Sequence, residues 1–133
     1  MMTNLSIKST QKVQCINITE KLNEVINENK IKNGVLLIYV PHTTAALTIN
    51  EGCDPDVFRD IVEKLDQVFP QSYSYHHQEG NSDAHIKASI IGNQRFVFVQ
   101  NGQIIKGTWE SIFFMEFDGP RNRRVIVSCI PTK

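Results

Sequence analysis

Seven residues, Gly34 to Val40, form an unbroken apolar run that stops at Pro41. The run is far short of the ~20 residues that a membrane helix needs. Its length and its Val, Leu and Ile content read as a strand buried on both faces. Thr43 to Asn50 resumes an extended pattern with β-branched residues and apolar Leu47 and Ile49. The two segments are expected to pair around the Pro41-His42 break. A chain that contains a buried strand of this kind needs a real core. At 133 residues a single domain can bury roughly two thirds of its unfolded surface, enough to dispense with staples.

The rest of the chain supplies the other layers. Asn4 to Ile18 reads as extended. Thr19 is placed to cap a helix running to about Asn29, with Leu22, Val25 and Ile26 as its apolar stripe. Asp54-Pro55 is a strong helix start, a carboxylate cap followed by proline at the first position. That helix carries Val57, Ile61, Val62, Leu65 and Val68 inward and ends before Pro70. Gln71 to Gly80 has no period. Asn81 or Ser82 caps a shorter helix through Ile90, ended by Gly92-Asn93. Strands follow at Arg95–Gln100, Gln103–Lys106, Thr108–Phe117 and Arg124–Ile130, with turns at Asn101-Gly102 and Asp118-Gly119-Pro120. Alternation along Thr108–Phe117 puts Trp109, Ser111, Phe113, Met115 and Phe117 on one face, and Glu110, Ile112, Phe114 and Glu116 on the other. Apolar residues on both faces imply a strand covered on both sides. The fold class is α+β, one domain over residues 1–133, with a largely antiparallel sheet and about three helices.

Fourteen basic side chains balance fourteen acidic ones. There is thus no electrostatic footprint for nucleic acid or an anionic membrane. Cys15, Cys53 and Cys129 are odd in number and form no CxxC pair. They read as reduced thiols of a cytoplasmic protein, and the N-terminus carries no signal-peptide pattern.

The four histidines, His42, His76, His77 and His85, fall within one third of the chain. None shows HExxH spacing. Three imidazoles from separate segments suit a divalent ion with an open position. The competing reading makes His42 and His85 core or cap residues, and His76 and His77 solvated ones. The helix start at Asn81-Ser82-Asp83 offers free N–H groups to an anion, with Lys87 a cation nearby; ordinary capping also explains Ser82 and Asp83. Glu51 is a candidate general base or imidazole orienter. Trp109 is the only tryptophan and reads as a core or interface anchor. Arg121, Arg123 and Arg124 suit phosphate or carboxylate recognition; a solvated hairpin tip competes with that reading.

Four motifs together resemble the YjbQ family, described as having a secondary thiamine-phosphate synthase activity. They are Pro41-His42-Thr43-Thr44-Ala45-Ala46-Leu47-Thr48-Ile49-Asn50-Glu51 with Asp54-Pro55-Asp56-Val57, then His77-Gln78-Glu79-Gly80-Asn81-Ser82-Asp83-Ala84-His85-Ile86-Lys87-Ala88-Ser89, Gly107-Thr108-Trp109-Glu110, and Glu116-Phe117-Asp118-Gly119-Pro120-Arg121. Glu110 stands where the family often has Gln. The resemblance implies a curved antiparallel sheet, a homotrimer, and His42, His77 and His85 grouped in a pocket at or near a subunit interface.

On that basis the expected metal ligands are His42, His77 and His85. The expected ion is divalent, zinc first and Mg²⁺ second. Glu51, Glu79 and His85 are the expected acid/base groups. Thr43, Asn81, Lys87, Trp109 and Arg121 are expected to hold a small phosphorylated metabolite. A module that binds such a metabolite without turnover is the alternative. A purely structural trimer is the third reading.

Overall fold

The computed structural model describes all 133 residues. In chain order the elements are β1 (Met2–Lys8), β2 (Gln14–Asn17), α1 (Thr19–Glu28), β3 (Gly34–Tyr39), β4 (Ala45–Glu51) and α2 (Pro55–Val68). They continue with α3 (Ser82–Ile91), β5 (Gln94–Gln100), β6 (Gln103–Ile105), β7 (Glu110–Glu116) and β8 (Asn122–Pro131). The strands form two antiparallel sheets. One is five-stranded in the order β1-β8-β3-β5-β6, and the other is three-stranded in the order β2-β7-β4. No helix is long and apolar enough to cross a membrane.

The expected pairing of β3 with β4 does not form. β3 pairs with β5 and β8, while β4 pairs with β7. Pro41 has no N–H to give to a ladder, and at this break the chain leaves one sheet for the other. Asn4 to Ile18 splits in the same way, β1 joining β8 and β2 joining β7.

The main core lies between the two sheets and α1. Leu36, Ile38, Leu47, Ile112, Phe114, Val125 and Val127 meet Leu22, Val25 and Ile26 there. A second cluster lies on the other face of the three-stranded sheet, where Phe113, Met115 and Phe117 meet Phe58 of α2 and Ala84 and Ala88 of α3. The alternation read along β7 therefore holds. Both its covers come from this chain.

β3 differs from its expectation. Leu36, Ile38 and Val40 are buried, but Leu37 and Tyr39 face out. Their ladder partners continue that outer face. Leu37 lies opposite Phe96 and Val35 opposite Phe98 and Ile130, with Phe96 and Phe98 more than half exposed at 56% and 53%. The outer side of the five-stranded sheet is thus an uncovered apolar face.

The helices are held by a few specific groups. Asp54 caps α2 through Asp56 N–H at 2.9 Å, with Pro55 at the first position. Only Phe58 of α2 is fully buried, and Val68, expected inside, is exposed. Thr19 does not cap α1. Its N–H donates to Asn17 Oδ1, and its hydroxyl accepts from Ile112 N–H at 2.9 Å, fixing α1 to β7.

Candidate functional site

An open cavity of about 470 Å³ lies where the chain changes sheets. One wall is the β3–β4 link, with His42, Thr43 and Ala45. The other is one side of α3 and its exit, with His85, Ala88, Ser89, Gly92 and Asn93. Main-chain bonds fasten the two walls: Val40 N–H donates to Asn93 O at 2.8 Å, and Leu47 N–H to Gly92 O at 2.9 Å. Gly92 has φ 95° and ψ 157°, a region essentially restricted to glycine. Gly92 and Asn93 escape a motif search because together they look like a plain helix stop, whereas Ser89 closes the motif that begins at His77.

His42 and His85 thus share one cavity. His42 Nε2 accepts a hydrogen bond from the main-chain N–H of Arg124 at 3.0 Å. Burial holds the His42 imidazole below its usual pKa, and the charge on Arg123 and Arg124 pushes the same way.

His77 lies on the other side of His85, in the irregular segment before α3. The two rings meet edge to face, centroids 5.5 Å apart. His77 Nδ1 is 3.0 Å from Ser82 Oγ, and Nε2 is 3.7 Å from Glu79 Oε1. Ser82 therefore supports His77 and does not cap α3. Asn81 is also diverted from capping, its amide donating to Asp118 Oδ2 at 2.8 Å. Asp118 in turn accepts from Arg121 at 3.0 Å. Burial raises the Asp118 pKa, but the bonds from Asn81 and Arg121 outweigh it, and the carboxyl sits below its usual range.

The three imidazoles do not make a ligand set within the chain. No three His, Cys, Asp or Glu side chains gather in a way that could hold a metal ion. The Nε2 lone pair of His42 is already engaged by Arg124. Within one chain, the side chains as they stand form no three-histidine ion site.

Lys87 corrects a second expectation. It is buried, with Nζ 2.5 Å from Asp66 and 3.0 Å from Asp83, and it does not line the cavity. Burial lowers its pKa, but the two carboxylates more than reverse this and raise it overall. Its charge is spent tying α3 to α2, so it is not free to steady an anion. Asp83 also meets Lys12 at 3.5 Å, and its Oδ1 is buried without a partner.

Glu51 and Trp109 sit elsewhere. Glu51 pairs in register with Glu110 at the far end of β4 and β7. With ~3.4 Å per residue, the seven residues of β4 put that end about 20 Å from the start of β4. Within one chain neither residue reaches the cavity. Glu51 accepts from Cys53 N–H, Glu110 from Gly107 N–H, and Trp109 is exposed.

The hairpin-tip reading of the last cluster is half right. Arg121 is exposed, but Arg123 and Glu116 are buried against each other. All three cysteines are free, and burial pushes the Cys15 thiol up to about 11.

Residues 3–132 match the family model described as UPF0047 protein YjbQ-like. The UPF0047 protein YugU of Bacillus subtilis is 46% identical over 124 residues, covering 92% of this chain and 94% of that protein. A UPF0047 protein of Methanocaldococcus jannaschii is 44% identical over 133 residues, covering 100% of this chain and 96% of its own. The crystal structure of a yjbq/upf0047 family protein from Clostridium acetobutylicum superposes with a TM-score of 0.94 at 46% identity, over 96% of this chain and 99% of that one. A hypothetical protein from Aeropyrum pernix gives the same TM-score at 34% identity, over 99% of each chain. The chain belongs to the YjbQ-like UPF0047 family.

Proposed function

We propose that this protein binds a small phosphorylated metabolite in the cavity between His42 and His85, as a cytoplasmic homotrimer. The observation that carries the reading is the convergence of two imidazoles, from the β3–β4 link and from α3, on one open polar cavity. Arg123 and Arg124 set positive charge beside His42, partly offset by the Glu116 carboxylate. Open cavities with a few convergent polar groups are the usual form of a small-ligand site.

The uncovered face of the five-stranded sheet supports the trimer, since contiguous apolar patches on soluble chains mark contacts. The face runs into the cavity: Tyr39 precedes His42 by three residues, and Phe96 follows Asn93 by three. Copies joined through this face would bring their cavities to the interface.

The reaction to assay is the one the family resemblance implies. The methylene–oxygen bond of a hydroxymethylpyrimidine pyrophosphate breaks, a carbon–nitrogen bond forms to the thiazole phosphate, and pyrophosphate leaves. His85 is the candidate acid/base group. Binding without turnover is the second reading. It is favoured by the position of Glu51 at the far strand end and of Glu79 on His77 rather than in the cavity.

Calorimetry with thiamine phosphate and its two precursors, run beside a product assay, tests both. Binding and product, both lost in His85→Ala, are the outcome expected of the enzyme. Binding without product leaves the module. No heat with any of the three ligands defeats the proposal.

A further inference from the structure

We infer that His42 is a fixed Nδ1–H donor to an oxyanion in the cavity, and not a metal ligand. The inference rests on the binding site proposed above and assigns a role within it.

A neutral imidazole has one donor and one acceptor nitrogen, and the partner of one decides the state of the other. Nε2 of His42 accepts from Arg124 N–H, so it carries a lone pair and no proton. The proton is therefore on Nδ1. Nδ1 has no hydrogen-bond partner in the chain, and the ring lines the cavity. What His42 offers a ligand is an N–H, and the ligand atom that matches it is an acceptor oxygen, as on a phosphoryl group.

The donor on Nε2 is not free to move away. Arg124 follows Arg123, whose buried guanidinium gives three hydrogen bonds to Glu116, at 2.5, 3.0 and 3.2 Å, and one to Thr44 Oγ1 at 2.8 Å. Thr44 lies two residues from His42. The same side chain therefore fixes both the strand that donates to His42 and the link that carries it.

The experiment is a long-range proton–nitrogen NMR correlation on the full chain labelled at histidine nitrogen. It is run alone, with inorganic phosphate, and with zinc chloride. The free protein is expected to show His42 protonated at Nδ1 only. Phosphate is expected to shift the Nδ1–H signal, and zinc to leave both His42 nitrogens unchanged. In His42→Asn the amide nitrogen stands near the position of Nδ1, so phosphate affinity should stay within a few-fold. In His42→Leu it should fall about tenfold or more. The wild-type spectra decide the matter even where His42→Leu does not fold.

A His42 protonated at Nε2, or a zinc shift on its ring, with phosphate still moving the His85 nitrogens, overturns this inference alone. No phosphate response at His42 or His85 overturns the binding proposal and this inference together.

Discussion

Arg123 on β8 and Glu116 on β7 form a buried ion pair that joins the two sheets, with Arg123 Nη2 2.5 Å from Glu116 Oε2. Ser9 adds a fourth bond to the carboxylate at 2.6 Å. Breaking a buried pair by removing one partner leaves the other charge desolvated and unpaired. Glu116→Gln is expected to cost about 3–5 kcal/mol in urea unfolding. The double variant Glu116→Leu, Arg123→Met should cost less than the sum of the two single changes. Strict additivity would show that the pair does not act as a unit.

Acid should unfold the protein through the same region. Burial raises the Glu116 pKa, but the bonds from Arg123 and Ser9 outweigh it, and the net effect is downward from 4.5. Asp118 is likewise lowered from 3.8. A carboxylate depressed in the folded state adds stability above its unfolded pKa and loses it as the pH falls through the folded one. Stability is therefore expected to be full above about pH 4.5 and to decline below it. Glu116→Gln should flatten that decline. An unchanged acid limb in the variant would assign the loss to other groups.

Lys87 offers a clean separation of structure from ligand binding. Lys87→Met removes the only hydrogen-bonded cation of Asp83 and releases α3 from α2. It should cost about 3 kcal/mol or more in thermal or urea unfolding. Phosphate affinity, measured where the variant is fully folded, should match the wild type. A tenfold loss of affinity with the fold intact would return Lys87 to the ligand site.

The outer sheet face can be tested by charge. Sedimentation equilibrium on the wild type is expected to give the mass of three chains. Phe98→Glu places a carboxylate at the centre of the exposed apolar rows, and should yield monomers that keep the native circular dichroism. A trimer that survives Phe98→Glu would put the contact on another surface.

Much of the fold was legible in local chemistry. Asp54-Pro55, Asn101-Gly102 and the two-sided alternation of β7 each carry their meaning within a few residues. What was not legible depended on partners distant in the chain. The run at Gly34 to Val40 looks buried on both faces because nothing in it says that the second face is left to another surface. Thr19 and Ser82 look like caps because capping is what those residues do when nothing else reaches them; here Ile112 and His77 do.

The site shows the same division. His42, His77 and His85 could be picked out, and they lie near one another in a chain around His85. Their hydrogen-bond partners could not, and the partner of His42 is a main-chain group 82 residues away. Lys87 looked available because its two carboxylates lie on different helices, and only one of them is at helical spacing. Glu51 shares a motif with His42 and Thr43, yet β4 carries it to the opposite end of the strand.

The cavity walls are the segments by which the chain passes between its sheets. Main-chain bonds at Val40, Leu47, Gly92 and Asn93 serve the joint and the cavity at once. The outline of the cavity is therefore set by the backbone of the fold, and side chains that project from those segments, such as Thr43 and Ser89, supply its lining.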